Sequence, residues 1–259
     1  MTIPASDVVF DTTTNPNAGA LPDYVGFPSH AAFVAWALGK KPALGVVIHA
    51  GGLAYRFTDS GTYLVGLPGW VPEGIISPSH FATNTTPGAT DMTSAVRRAF
   101  DYLIDHGGVI DGRCEEFGVW GQVNLPGRSN VRCLRCTFIA INNWDPELPV
   151  FKIAATSRDM TFEDCVIEGS HKANGWLIDN AATVHILRCR VHGVPDYAVR
   201  SQTKATELRI EGCDFRQWNW NEGEWNVAAR RTAKLIDLAT VDYMVMRNVC
   251  AYAKECIST

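Results

Sequence analysis

No stretch of this 259-residue chain approaches the roughly 18 consecutive apolar residues that a membrane-spanning helix needs, the longest apolar run lying near Ala43–Ala50. No membrane insertion is expected. The opening segment MTIPASDVVFDTTT has no apolar core of a secretory leader, so the cysteines are expected to stay reduced. Charge of one sign is also missing: 23 Lys and Arg face 27 Asp and Glu, a net charge of −4, which gives no reason to expect a nucleic-acid partner. His49, His80, His171, His185 and His192 show no metal spacing, and no acidic run requests calcium. Neither a Ser-His-Asp arrangement nor a phosphate-binding glycine loop is present, and no cofactor or metal is expected. What remains is a chain with 46% apolar residues, enough to bury one sizeable core.

That apolar content is ordered. Val131-Arg132-Cys133-Leu134-Arg135-Cys136-Thr137-Phe138 recurs as Met160-Thr161-Phe162-Glu163-Asp164-Cys165-Val166-Ile167 and as Val184-His185-Ile186-Leu187-Arg188-Cys189-Arg190-Val191. Leu208-Arg209-Ile210-Glu211-Gly212-Cys213-Asp214-Phe215 is a fourth copy, and Tyr243 to Cys250 a weaker fifth with Asn248 at the cysteine position. The steps between marked positions are 29, 24, 24 and 35 residues, the range of stacked supersecondary units. Two apolar residues two apart share a strand face, but an odd step of three to the cysteine turns the chain. Leu187-Arg188 therefore reads as a corner between two short strands. Further strands precede the corners at Val150–Ile153, Trp176–Ile178, Tyr197–Val199 and Lys234–Ile236.

Coils stacked at about 4.8 Å place the cysteines above one another inside the bore, where each acts as a small hydrophobe. Cys133-x-x-Cys136 looks like half a zinc knuckle, but no second pair with metal spacing follows. Free, buried thiols are expected. Outside the bore, Arg135, Asp164 and Arg188 fall in one column and Arg190 beside Asp214 in another, which favours structural ion pairs.

Residues 1–26 read as an extended arm. Ser29 then caps a helix with an Ala32, Phe33, Trp36 and Ala37 stripe that stops at Gly39. Strands are expected at Leu44–Ala50, Leu53–Thr58 and Thr62–Leu67, and a linker at Gly66–Gly74. A domain boundary near residue 75 separates this module from residues 76–259. Within the latter, an amphipathic helix near 91–105, with Thr90 as cap, suits a lid over the first coil.

His80-Phe81-Ala82, Gly88-Ala89-Thr90-Asp91-Met92-Thr93-Ser94-Ala95-Val96 and Gly107-Gly108-Val109 together resemble the entry motif of pectate-lyase-like β-helix proteins. Leu125-Pro126-Gly127-Arg128-Ser129-Asn130-Val131 is similar to the segment that opens their first regular coil. The preceding module, joined through Val71-Pro72 and Pro78-Ser79-His80-Phe81, resembles the virion-attachment region of bacteriophage tailspikes and tail fibres. Two departures stand out: Thr86-Pro87-Gly88 replaces a Gly-Asp-Gly turn, and Met92 a second aspartate, so the acidic cluster is gone. The resemblance implies a mainly β protein, a right-handed parallel β-helix of about five coils with an N-terminal capping helix, preceded by a small α+β attachment module. It further implies a homotrimer in the virion tail, assembled in the bacterial host cytoplasm. Residues 1–75 would meet other tail or baseplate proteins, and the helix would bind or cleave host surface polysaccharide.

Candidate site residues follow from two places. Inverting hydrolysis wants carboxylates roughly 6.5–9.5 Å apart. Glu163 and Glu211 are expected two rungs apart in one column, about 9.6 Å at that rung spacing, in company with Leu134, Leu187 and Met246. The segment Arg216–Asn226 is an insertion whose Trp218, Trp220 and Trp225 suit a sugar face, with Glu222 and Glu224 as alternative catalytic carboxylates and Trp144 from a smaller insertion beside them. Attachment to host polysaccharide is the leading expectation and a tailspike-type depolymerase the alternative. The missing leader and the extra module weigh against a secreted pectate lyase.

Overall fold

Ser29 opens the first helix by accepting a hydrogen bond from the Ala32 amide, 3.2 Å away, through its side chain. In the computed structural model, the described residues are 25–38, 42, 44–58, 64, 67–104, 107–125, 129–141, 148–154, 158–180, 183–217, 234–252 and 255–258. They divide into two units, residues 1–83 and 84–259.

In the first unit, β1 (Val25–Phe27) precedes α1 (His30–Ala37), and β2 (Val47–Ala50), β3 (Leu53–Phe57) and β4 (Trp70–Glu73) follow. β1 runs parallel to β2, while β2, β3 and β4 form an antiparallel meander. The core is aromatic: the Phe33 and Tyr55 rings stack at 4.4 Å, and Trp70 meets Phe33 edge-on at 5.1 Å and Phe57 at 5.4 Å. The expected linker is thus partly a strand, because Trp70 buries its ring completely and Pro72 sits on the outermost strand, which tolerates a missing donor. Of the expected strand Thr62–Leu67 only Leu64 and Leu67 are described, and the rest lies outside the described residues. The turn at Ser77–His80 also belongs here, with His80 buried and its Nε2 3.2 Å from the Ala54 carbonyl. This is why the unit ends at residue 83, past the boundary expected at 75.

In the second unit, α2 (Thr93–Tyr102) buries Ala95, Val96, Ala99 and Phe100. Asp91 receives the Thr93 amide at 3.0 Å, so the side-chain bond at this start comes from Asp91 rather than from Thr90. Phe100 reaches the rings of Phe151 and Phe162 at 5.9 and 6.1 Å.

The chain then passes repeatedly through the same three positions. The first pass is β5 (Gly108–Asp111), β6 (Glu116–Val119) and β7 (Val123–Leu125). The second is β8 (Ser129–Leu134), β9 (Thr137–Ala140) and β10 (Pro149–Ile153). The third is β11 (Arg158–Glu163), β12 (Val166–Glu168) and β13 (Asn174–Ile178). β14 (Thr183–Leu187) and β15 (Arg190–His192) lead into β16 (Val199–Glu211), whose two ends pair with β13 and β14. After β17 (Asp214–Arg216), β18 (Lys234–Arg247) repeats that double role, and β19 (Cys250–Tyr252) and β20 (Glu255–Ser258) close the series. All of these pairings are parallel, a mainly β arrangement consistent with a parallel β-helix. The β6-β9-β12-β15-β17-β19 ladder holds six strands. The cysteine pattern marks five corners, because the first pass turns through Asp111–Glu115 without it.

Arg135, Asp164, Arg188, Gly212 and Asn248 occupy the corners, all in the left-handed region with φ between 50° and 65°. For an L-residue this costs about 1–2 kcal/mol. An ordered hydrogen bond offsets it: the amides of Arg135, Asp164, Arg188 and Gly212 donate to carbonyls of the next rung at 2.7–3.1 Å. The corner therefore bends the chain and stitches adjacent rungs together.

Inside the bend, Cys133, Cys136, Cys165, Cys189 and Cys213 are buried and free. The thiols of Cys165, Cys189 and Cys213 donate to the carbonyls of Cys133, Phe162 and Ile186 on the rung before, at 3.3–3.4 Å. Cys114 and Cys250 are exposed, which corrects the expectation of uniformly buried thiols. Cys114 lies in the irregular first corner, at φ 65°. The fifth copy is also displaced by one residue: Arg247, not Met246, pairs with Glu211, so Asn248 is the corner and Val249 takes the cysteine position. Asn is among the few residues that adopt the left-handed region readily, and here that preference sets the register.

Candidate functional site

Glu163 and Glu211 both pair with Leu187, which places them two rungs apart in one column as the sequence predicts. Their chemistry is that of ion pairs. Glu163 is buried and accepts from Arg132 Nε at 2.7 Å and from Arg188, which also holds Asp164 at 2.8 Å. Burial works to raise its pKa, but the bonds from Arg132 and Arg188 outweigh burial and hold it below the usual range. The hydrogen bond from Arg209 lowers Glu211 in the same direction. A general acid needs the opposite shift, so this pair is suited to clamping rungs. Arg135 bonds to Asp111 rather than to Asp164, completing the first corner of the same outer column.

The other carboxylates and aromatics that the sequence singles out, Glu222, Glu224, Trp218, Trp220, Trp225 and Trp144, lie outside the described residues.

Next to the corner column, the outer face of β15 and β17 forms an open depression of about 770 Å³. Gly212 stands at its edge, where the other cysteine-marked corners carry the side chains of Arg135, Asp164, Arg188 and Asn248. A Cβ there would come 3.3 Å from Arg188 Cγ and fill the gap, and its φ of 65° suits glycine. Arg188, Asp164, Arg190, His192, Asp214 and Arg216 surround it. Arg190 does lie opposite Asp214 in register, but Asp214 takes its hydrogen bonds from Arg216, at 2.7 and 3.0 Å. No hydrogen bond or ion pair joins the Arg190 guanidinium to another described residue. His192 is half-buried, and its Nε2 is shielded from solvent without a described hydrogen-bond partner. Burial lowers its pKa; Asp214 opposes that, while Arg216 and Arg190 reinforce it, so the ring is neutral at pH 7. Sequence reading missed this depression because it paired Arg190 with Asp214. The available signal was the glycine among the charged or polar residues of the cysteine-marked corners.

A metal-capable cluster also forms where spacing showed only a pair. The sulfurs of Cys133, Cys136 and Cys165 lie within 4.8 Å of one another, the third thiol arriving from the next rung. Their separations of 3.6 and 3.9 Å match packed sulfurs as well as ligands. Among the described residues no fourth ligand joins them in the cluster, and three buried thiolates would leave a net negative charge around a divalent ion, so packing accounts for the contact.

No protein family matches the sequence, and no curated protein sequence does. Among solved structures, the chain is similar to the Streptococcus pneumoniae surface adhesin PfbA, with 14% identity over 63% of this chain and 43% of that one, at a TM-score of 0.48. It is similar, with 12% identity, to a Parabacteroides merdae protein provisionally described as a glycosyl hydrolase, covering 72% of this chain and 99% of that one at a TM-score of 0.48. An Acinetobacter phage tailspike shares 13% identity over 85% of this chain and 53% of that one, at a TM-score of 0.37. The chain thus spans less than half the length of the adhesin and about half that of the tailspike.

Proposed function

We propose that this chain is a structural tail component of a bacteriophage or phage-like particle, and that it attaches the particle to polysaccharide on a bacterial surface. Residues 1–75 serve attachment to other tail or baseplate proteins, and the ladder unit presents the glycan-binding face. One observation carries the reading: a rigid stack of parallel rungs, preceded by a separate small α+β unit, bears an outer face of exposed charged side chains around an open depression. The motifs from His80 to Val109 supply the sequence resemblance to pectate-lyase-like β-helix proteins, and the module joined through Val71-Pro72 and Pro78-Ser79-His80-Phe81 the resemblance to tailspikes and tail fibres. In this reading the helix is right-handed, α2 closes the first coil over Phe151 and Phe162, and three copies associate.

The alternative is cleavage of the same polysaccharide. The lowered pKa values of Glu163 and Glu211 disfavour them as a catalytic pair, which leaves Glu222 and Glu224 as the carboxylates an enzyme would use. The test is to incubate the full chain with a panel of purified bacterial capsules and lipopolysaccharides and to measure binding and reducing-end release together. Saturable binding of at least one without release is expected. Release that disappears in Glu222→Gln or Glu224→Gln replaces attachment with depolymerisation, and absence of binding to every member overturns both. A mass measurement in solution is expected to give the trimer.

A further inference from the structure

In the first unit a polar contact ties α1 to the sheet it packs on. His30 is the first residue of the helix, and its Nδ1 lies 2.7 Å from the Tyr55 hydroxyl on β3. The surroundings are apolar. Phe33 and Tyr55 place their rings 6.3 and 5.6 Å from the imidazole, and the Tyr55 ring is itself buried against Phe33. Neither α1 nor β1 contains Asp, Glu, Lys or Arg. On the meander, His49 and Glu73 both lie opposite Ala54, so together with Arg56 they point to the side of the sheet away from Tyr55. Arg56 and Glu73 pair with each other there. His80 meets the Tyr55 ring at 5.0 Å, with its Nδ1 accepting from the Ser77 amide at 3.0 Å and its Nε2 facing the Ala54 carbonyl. Among the described residues, therefore, no carboxylate faces His30.

An imidazolium in this place has no counter-charge. Tyr55 does not supply one, because burial pushes its phenol up, away from ionisation. The start of a helix is also its positive end, which disfavours a cation on the first residue. We propose that His30 is an acid-sensitive latch: neutral, it holds α1 on the sheet through Tyr55, and protonated, it releases the helix and opens the first unit while the ladder unit stays closed. Burial lowers the pKa of His30 in the closed unit, so its contribution is complete above the open-chain value of about 6.5 and is lost as pH falls below it. The ladder unit differs, because His185 has Glu207 at 3.2 Å and His192 has the Asp214 charge nearby, so a proton arriving there meets a carboxylate. Under the attachment reading the grip of the first unit weakens in acid; the latch itself does not depend on what the ladder binds.

The experiment measures amide hydrogen exchange of the full-length protein at about pH 7.5 and about pH 5.5, a window above the ordinary carboxylate range, with each rate corrected for intrinsic exchange at that pH. Protection of the α1 amides is expected to fall several-fold, with a ceiling of about tenfold, the factor given by one proton that only the open state takes up. Protection of β8 and β11, strands without a histidine, should hold. In His30→Asn, which keeps a short acceptor for the Tyr55 hydroxyl, the ratio between the two pH values should return to about one, whatever the variant does to protection at neutral pH. An NMR titration of the wild-type His30 imidazole reads the same property without a substitution: a midpoint below that of the unfolded chain is expected, and one at or above it overturns the latch. Protection of α1 that does not change with pH, a fall that persists in His30→Asn, or an equal fall in β8 and β11 overturns it as well. Polysaccharide binding in the panel is a separate readout, so the latch and the proposed function can each fail alone.

Discussion

The two units solve the same burial problem in opposite ways. Residues 25–81 are held by unlike aromatic rings, Phe27, Phe33, Trp36, Tyr55 and Trp70, each with its own neighbours and none repeated. The ladder unit repeats one solution, in which inward residues such as Val131, Met160, Val184 and Leu208 occupy the same place on successive rungs. Repetition shares the load between rungs. A singular core concentrates it, so a single truncation reaches further in the first unit, while in the second the chemistry of the position matters more than its size.

The sharpest way to break this contrast is at Cys189. Cys189→Lys buries an unpaired charge in the bore and is expected to abolish soluble, folded protein, while Cys189→Val keeps a small apolar group, loses one weak thiol bond, and should cost less than about 1.5 kcal/mol. Circular dichroism and soluble yield compare them, and equal behaviour of the two would remove the ladder argument. Next in size is Trp70→Ala, expected to destabilise the first unit by about 3–5 kcal/mol. Hydrogen exchange should then rise at β2 and β3 with protection of β11 and β14 preserved. The smallest effect tests the displaced register. Asn248→Val places a β-branched residue at φ 51° and should cost about 1–2 kcal/mol, while Val249→Cys should be close to neutral in chemical denaturation. The reverse order would return Asn248 to the cysteine position.

The contrast also explains what could be read in advance. A period-two pattern interrupted by a step of three is a geometric statement, so the corners at Arg135, Asp164, Arg188 and Gly212 and the strands through Phe151 and Trp176 were legible from residues alone, whereas the strand expected at Tyr197–Val199 begins only at Val199 and runs on to Glu211. β4 was not, because Gly66, Pro68, Gly69, Pro72 and Gly74 gave a turn signal stronger than the alternation that buries Trp70. The register of the last copy was lost for a similar reason: Asn248 offers no apolar cue, and its fitness for a corner is conformational. At the site, the carboxylate column was legible but its chemistry was not, since pKa depends on Arg132 and Arg188 arriving from neighbouring rungs. The depression was overlooked because Arg190 was paired with Asp214, and the glycine at the Gly212 corner was its one signal.

Because one edge of the recess is a corner without a side chain, a single codon helps to set its height along the stack. Exchanging glycine between equivalent bends would slide the opening up or down by one storey while every inward-facing residue stayed in place, which gives such a scaffold a way to retune what it recognises without renegotiating how it folds.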